Sequence, residues 1–101
     1  MKPLLNNNSY SVKKTWFFNG AWYVSFEIIH ESLFIGWSPV IINLDQVQYE
    51  KFKEKYQYEQ FNIDFAVLNL FKTEEYEGRI KYIYQLKPQQ ELEDIFILRS
   101  N

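Results

Sequence analysis

The chain has 101 residues, 47% of them hydrophobic and 24% charged, and its formal net charge is −2. That length suits one domain, and the composition is typical of a folded protein rather than a disordered one. The absence of cysteine excludes disulfides, thiolate metal ligands and a cysteine nucleophile. The small net charge predicts no general attraction to nucleic acid or to anionic membranes.

Aromatic residues are the unusual feature of the composition. Nine Phe, eight Tyr and three Trp make up 20% of the chain. Two interpretations are open at this point. The rings fill a small core, or several of them stay exposed for a partner, since Tyr and Trp are enriched at interfaces.

The first residues predict a flexible lead-in over 1–11, followed by a single domain over 12–101. The asparagine run at 6–8 is too polar and turn-prone to continue a strand. The N-terminus becomes polar too soon for a signal peptide, and no apolar run approaches the ~18 residues of a membrane span. We therefore expect a soluble, cytoplasmic protein that does not enter a membrane.

The clearest hairpin signal is Asn19-Gly20, which lies between two apolar strands and whose ready access to positive φ suits a type I′ turn. A two-residue turn fixes the register of the strands, and this register puts Trp16, Phe18 and Tyr23 on one face. We expect the opposite face to be core. The aromatic face is either covered by a helix or serves as a binding platform.

A long apolar run at 33–44 predicts a third strand, interrupted at Ser38-Pro39 because proline cannot donate to a sheet ladder. The run is apolar on both faces. It is therefore covered on both sides, or one side belongs to a partner, and a homodimer would satisfy that need. His30, the only histidine, precedes the run and is expected to be a surface residue rather than a catalytic base.

The main helix is predicted at about 45–57. Asp45 is a good N-cap, and Gln48 stands three residues later, where a capping-box partner belongs. The aromatic residues that follow share one helical face: Tyr49, Phe52 and Tyr56. We expect this aromatic stripe to be buried against the sheet.

Residues 61–72 fit two structures. Their alternating Phe, Ile and Val side chains favour a strand. A polar stripe that begins at Asn62, with Gly78 as a stop signal, would instead suit a second helix at 62–76.

Two further strands are predicted at 79–86, which alternates cleanly, and at 94–99. The predicted elements together indicate the α+β class. We expect a twisted antiparallel sheet of five or six strands packed on the main helix.

The sequence carries no recognisable catalytic or cofactor motif. Its three glycines are isolated, so a glycine-rich phosphate loop is absent, and one histidine without cysteine argues against a zinc site. We therefore predict that the protein is not an enzyme and holds no cofactor or metal.

Binding is the remaining function class. We expect a small inhibitor or immunity-type antagonist, of the kind encoded by phages and mobile elements, that blocks a partner protein. Such a partner could be a nuclease or another nucleic-acid-binding protein, whose basic groove would meet the acidic clusters of this chain. The predicted partner-binding residues are Trp16, Phe18, Tyr23, Glu74, Glu75 and Glu77.

The alternative is binding of single-stranded nucleic acid. In that case bases would stack on the Trp16, Phe18 and Tyr23 face, and Lys13 and Lys14 would contact phosphates. The acidic balance of the chain makes nucleic acid the less favoured partner.

Overall fold

The computed structural model describes residues 8–99, so the first seven residues of the predicted lead-in lie outside the described part. The first strand already begins at Ser9. In chain order the elements are β1 (Ser9–Phe18), β2 (Ala21–His30), β3 (Leu33–Leu44), α1 (Gln46–Lys55), β4 (Phe61–Ile63), a 3-10 helix (Phe65–Val67), β5 (Leu68–Tyr76), β6 (Arg79–Leu86), α2 (Leu92–Ile95) and β7 (Phe96–Leu98).

The fold is α+β, as predicted, but the sheet is larger and mixed. Its seven strands have the order β5-β6-β3-β2-β1-β4-β7, and every neighbouring pair is antiparallel except β3 and β6. The predicted all-antiparallel sheet of five or six strands is therefore corrected. The chain leaves β3 through α1, β4 and β5 before β6 returns beside β3, and such a long crossover permits parallel pairing.

The first hairpin has the predicted register. Phe18 pairs with Ala21 and Trp16 pairs with Tyr23. Asn19 and Gly20 have φ values of 51° and 81°, as a type I′ turn requires.

The main helix also begins as predicted. The backbone N–H of Gln48 donates to Asp45 Oδ1 at 2.8 Å, and the Asp45 N–H donates to Gln48 Oε1 at 2.9 Å. This reciprocal capping box fixes the point at which β3 turns into α1.

Residues 61–72, for which a strand and a helix were both possible, form β4, the 3-10 helix and the first part of β5. Asp64 ends the alternation of β4, because its Oδ1 accepts the Ala66 N–H at 3.0 Å and begins the 3-10 helix. The alternative helix at 62–76 is wrong, since β5 occupies most of that range. The second helix is α2, and it shortens the strand predicted at 94–99 to the three residues of β7.

The core lies between α1 and one face of the sheet. Its largest fully buried side chains are four phenylalanines, and they meet mostly edge to face: Phe26, Phe52, Phe61 and Phe96. Tyr49 of α1 stacks on Trp22 of β2 with ring centroids 3.7 Å apart. The predicted aromatic stripe of the helix is therefore buried. No helix within residues 8–99 is long and apolar enough to cross a membrane.

Candidate binding site

One face of the sheet packs against α1. The sheet curls over its opposite face and covers part of it. Trp16 stacks on Tyr23, with ring centroids 5.5 Å apart and an interplanar angle of 14°. Tyr76 meets Trp16 edge to face at 6.0 Å. Because three strands separate β1 from β5 in the sheet, this contact shows that the sheet curls over this face. We call the face of the sheet opposite α1 the curled face.

A small second core forms on the curled face. Tyr23, Ile41 and Ile83 are buried there, with Trp16 and Tyr76 packed against them. The aromatic face of the first hairpin was expected to be covered by a helix or to form an open platform. Neither describes the whole face, because strands and not a helix pack against part of it. Trp16 and Tyr23 of the first hairpin are sheltered by β6 and β5, whereas Phe18 is exposed.

Glu74 holds the Tyr76 ring in place. Its carboxylate accepts from the Tyr76 hydroxyl and forms an ion pair with Lys72 at 2.6 Å. Burial and the Glu74 hydrogen bond raise the pKa of Tyr76 to about 12, so the phenol stays protonated. The hydrogen bond and charge of Lys72, together with the Tyr76 hydroxyl, lower the pKa of Glu74.

Three lysines surround a cavity of about 230 Å³ on the curled face. Lys13 is the extra residue of a β-bulge, and its Nζ lies 4.5 Å from the centroid of the Trp37 ring. Lys14 Nζ lies 5.7 Å from the Trp16 ring centroid. Lys81 comes from β6, and its Nζ donates to the Ser38 carbonyl oxygen at 3.4 Å. We call this the lysine cavity.

Positive charge is crowded around the lysine cavity. Burial, followed by the charges of Lys13 and Arg79, lowers the pKa of Lys81, while Glu77 opposes that shift. The side chains that line the cavity are Lys13, Lys14, Trp16, Ser25, Ser38, Ile41, Tyr76, Glu77 and Lys81.

Five of the six predicted partner-binding residues lie on this face. Phe18, Tyr23 and Glu74 line a second cavity of about 290 Å³, and Trp16 and Glu77 line the lysine cavity. They are not equally accessible, because Phe18 is 57% exposed and Tyr23 only 7%.

Glu75 is separated from the other predicted residues. It pairs with Ile80 and lies between Glu74 and Tyr76 in β5, so strand alternation turns its side chain to the other face. The acidic cluster of the sequence is therefore divided by the sheet.

A different apolar surface lies outside the six predicted partner-binding residues. At the start of β3, Leu33, Phe34, Ile35 and Trp37 are all exposed, Leu33 to 67%. The Phe34 and Trp37 rings are 4.6 Å apart between centroids. We call these four residues the hairpin-end surface. The signal for it was the two-sided apolar character of 33–44, which already suggested that one side belongs to a partner.

His30 lies beside the hairpin-end surface and is half-buried. Its Nε2 is 3.6 Å from Glu31 Oε2, and its Nδ1 has no hydrogen-bond partner in the structure. No group of three or more potential metal ligands occurs within the part of the chain that the structure describes.

Comparison with known proteins assigns no relative. No protein-family model, curated protein or solved structure matches the chain.

Proposed function

We propose that the protein is a small non-catalytic binding factor that blocks a partner protein, and that the partner binds the hairpin-end surface. The observation that carries this proposal is the exposure of four large apolar side chains within residues 33–37. Single exposed apolar residues are ordinary on a protein surface, whereas exposed rings in contact with each other, as Phe34 and Trp37 are, are typical of an interaction site.

The surroundings of the hairpin-end surface suit a separable partner. Trp37 lies under the Lys13 ammonium and opposite Glu27 in the β2–β3 pairing, and Glu31 is exposed in the adjacent turn. An apolar centre with a charged rim is typical of non-obligate interfaces, whereas permanent homodimers bury larger and more apolar areas. A different protein is therefore favoured over a second copy as the occupant.

The acidic residues support a partner with a basic surface. Since β6 runs parallel to β3, the turn before β6 lies at the same end of the sheet as the start of β3. Glu77 in that turn is exposed, and so is Glu75 on the opposite face of β5, whereas Glu74 is already paired with Lys72. Exposed carboxylates at this end of the sheet would speed association with a basic partner, such as a nuclease. This arrangement supports an inhibitor or immunity-type role.

A paired substitution tests this function. Tagged wild-type chain, a Phe34→Ala variant and a Val47→Ala control are each used to capture proteins from cell extract. Val47 is also an exposed apolar residue, but it lies on α1. The captured protein is then purified and titrated by calorimetry. We expect Phe34→Ala to weaken binding about 30-fold, the effect of losing ~2 kcal/mol at an interface centre, and Val47→Ala to leave it unchanged.

Two results would reject the proposal. One is a partner whose affinity is the same for all three chains. The other is a concentration-dependent dimer, measured by light scattering, that Phe34→Ala dissociates, because the surface would then join two copies of this chain.

Single-stranded nucleic acid is the second candidate, favoured by the convergence of Lys13, Lys14 and Lys81 beside Trp16. Tyr23, however, is buried under Trp16, and Lys14 lies over the Trp16 ring, so few ring faces are open for successive bases. Quenching of tryptophan fluorescence by a short oligonucleotide, weakening steeply with salt, would support this candidate. No quenching at low salt would eliminate it.

A further inference from the structure

The lysine cavity holds more positive charge than its own residues neutralise. Three lysines and one glutamate line it, which leaves two positive charges uncompensated. Lys72 forms an ion pair with Glu74, whereas no ion pair joins a cavity lysine to a carboxylate within the described residues. An anion in the cavity would relieve this repulsion.

In the free chain, the ammonium groups of the three lysines contact only neutral groups among the described contacts. Lys13 and Lys14 rest on tryptophan rings, and Lys81 donates to a backbone carbonyl at 3.4 Å, a long hydrogen bond. Burial and the neighbouring Lys13 and Arg79 lower the pKa of Lys81. Each of these contacts is weaker than a charge-assisted hydrogen bond to a phosphate oxygen.

The rest of the wall offers a flat apolar surface and a hydroxyl. Trp16, Ile41 and Tyr76 supply the apolar part, and Tyr76 is fixed by its hydrogen bond to Glu74. The Ser38 Oγ accepts the Val40 N–H at 3.1 Å, so its own hydrogen can point to a ligand. A ligand for this cavity therefore combines an anionic group with a small flat ring.

We propose that the lysine cavity binds a small phosphate monoester attached to a planar ring. A phosphate monoester carries about two negative charges near neutral pH, which matches the uncompensated charge. Lysines bind phosphate as point charges, and a cavity of about 230 Å³, somewhat below the ~300–1,000 Å³ of typical ligand pockets, admits a small molecule but not a polymer. A nucleoside monophosphate and an aryl phosphate share this chemistry. The proposal does not depend on the partner at the hairpin-end surface.

Nuclear magnetic resonance titration of the full chain tests the proposal. The probes are adenosine monophosphate and phenyl phosphate, compared with adenosine and phenol, which lack the phosphate, and with inorganic phosphate, which lacks the ring. We expect at least one phosphorylated probe to bind about tenfold more tightly than its fragments. The Trp16 indole signal should shift, whereas that of Trp22, whose Nε1–H donates to Gln46 Oε1 in α1, should not. The phosphorylated probe that binds more tightly shows whether the ligand is a nucleoside monophosphate or an aryl phosphate.

Substitutions locate the binding. Lys81→Gln keeps most of the side-chain length and should weaken binding about tenfold, since a hydrogen bond to a charged group contributes ~1.5 kcal/mol or more. Lys14→Gln is the second cavity variant. Lys51→Gln, on the exposed side of α1, is the matched control and should bind as the wild type does.

The proposal fails on any of three results. These are equal affinity for inorganic phosphate and the phosphorylated probes, unchanged binding by both cavity variants, and no shift at Trp16 with any probe. Thermal unfolding of each variant separates lost binding from a lost fold. If Lys81→Gln unfolds, Lys14→Gln decides the test.

Discussion

The two faces of the sheet are built in different ways. Under α1, four phenylalanines are no more than 1% exposed and pack against one another's edges. On the curled face, the buried apolar cluster is Tyr23, Ile41 and Ile83, and much of the remaining lining is lysine, glutamate and serine around two cavities.

The difference separates stability from binding capacity. Burial of large rings contributes most of the favourable free energy of a small domain, and a close-packed core of this kind leaves no room for a ligand. Cavities lined by charged groups contribute little to stability, but they can accept a ligand without unfolding anything. A variant that unfolds the chain should therefore map to the helix side, and one that loses a small ligand bound in a cavity should map to the curled face.

The largest expected effect is loss of stability on the helix side. Phe52 is fully buried, with ring centroids 5.1 Å from Phe96 and 6.3 Å from Phe61. Phe52→Ala should lower the free energy of unfolding by ~3–5 kcal/mol, measured by urea denaturation, because it removes a ring and leaves a cavity. Phe18→Ala is the control, since Phe18 is exposed on the curled face, and it should cost less than ~1 kcal/mol. Equal losses of unfolding free energy in the two variants would contradict the difference drawn between the two faces.

A smaller loss is expected in the second core. Ile83 is fully buried on the curled face, whereas Ile80 on the same strand is exposed. Ile83→Ala should cost ~2–3 kcal/mol, near the lower end for such a truncation, because the adjoining cavities let the site relax. Ile80→Ala should stay within ~0.5–1 kcal/mol in the same denaturation assay. If Ile83→Ala costs as much as Phe52→Ala, the curled face is a full core and not a binding region.

The smallest effect concerns alkaline pH. The pKa of Tyr76 is raised in the folded state, so its protonated phenol stabilises the fold fully at pH values below the ordinary tyrosine pKa of 10. This contribution is lost as the pH rises toward about 12. Ultraviolet titration of tyrosinate should show late-titrating groups, to which Tyr10 and Tyr56 also contribute because burial raises their pKa values. Tyr76→Phe should remove one late-titrating group and flatten the decline of stability over this range.

The same titration has a clear negative outcome. If wild type and Tyr76→Phe lose the same number of late-titrating protons, Tyr76 is not held by Glu74, and its ring is not a fixed wall of the lysine cavity.

Local signals in the sequence were enough for the parts of the fold that depend on neighbours. Asn19-Gly20 specified the first hairpin and its register, and Asp45 with Gln48 specified the start of α1. Each signal acts over two to four residues, within the range where turn and capping chemistry decides the backbone.

Long-range pairing could not be predicted in the same way. Nothing in the residues of β6 shows that it pairs with β3 in a parallel sense, and alternation alone did not reveal that Asp64 would turn the chain. The lysine cavity was therefore missed in part. Lys13 and Lys14 were proposed as neighbours of Trp16, but Lys81 joins them only because β6 lies where it does.

The parallel pairing of β3 with β6 also has a kinetic consequence. It closes a long segment of chain, and pairings between distant segments form slowly because the loop entropy is lost before the contacts are gained. The first three strands can form from neighbouring residues, whereas the lysine cavity needs β1 and β6 together. The cavity should therefore be among the last features to appear during folding, and a ligand bound there would report the completed native state rather than any earlier intermediate.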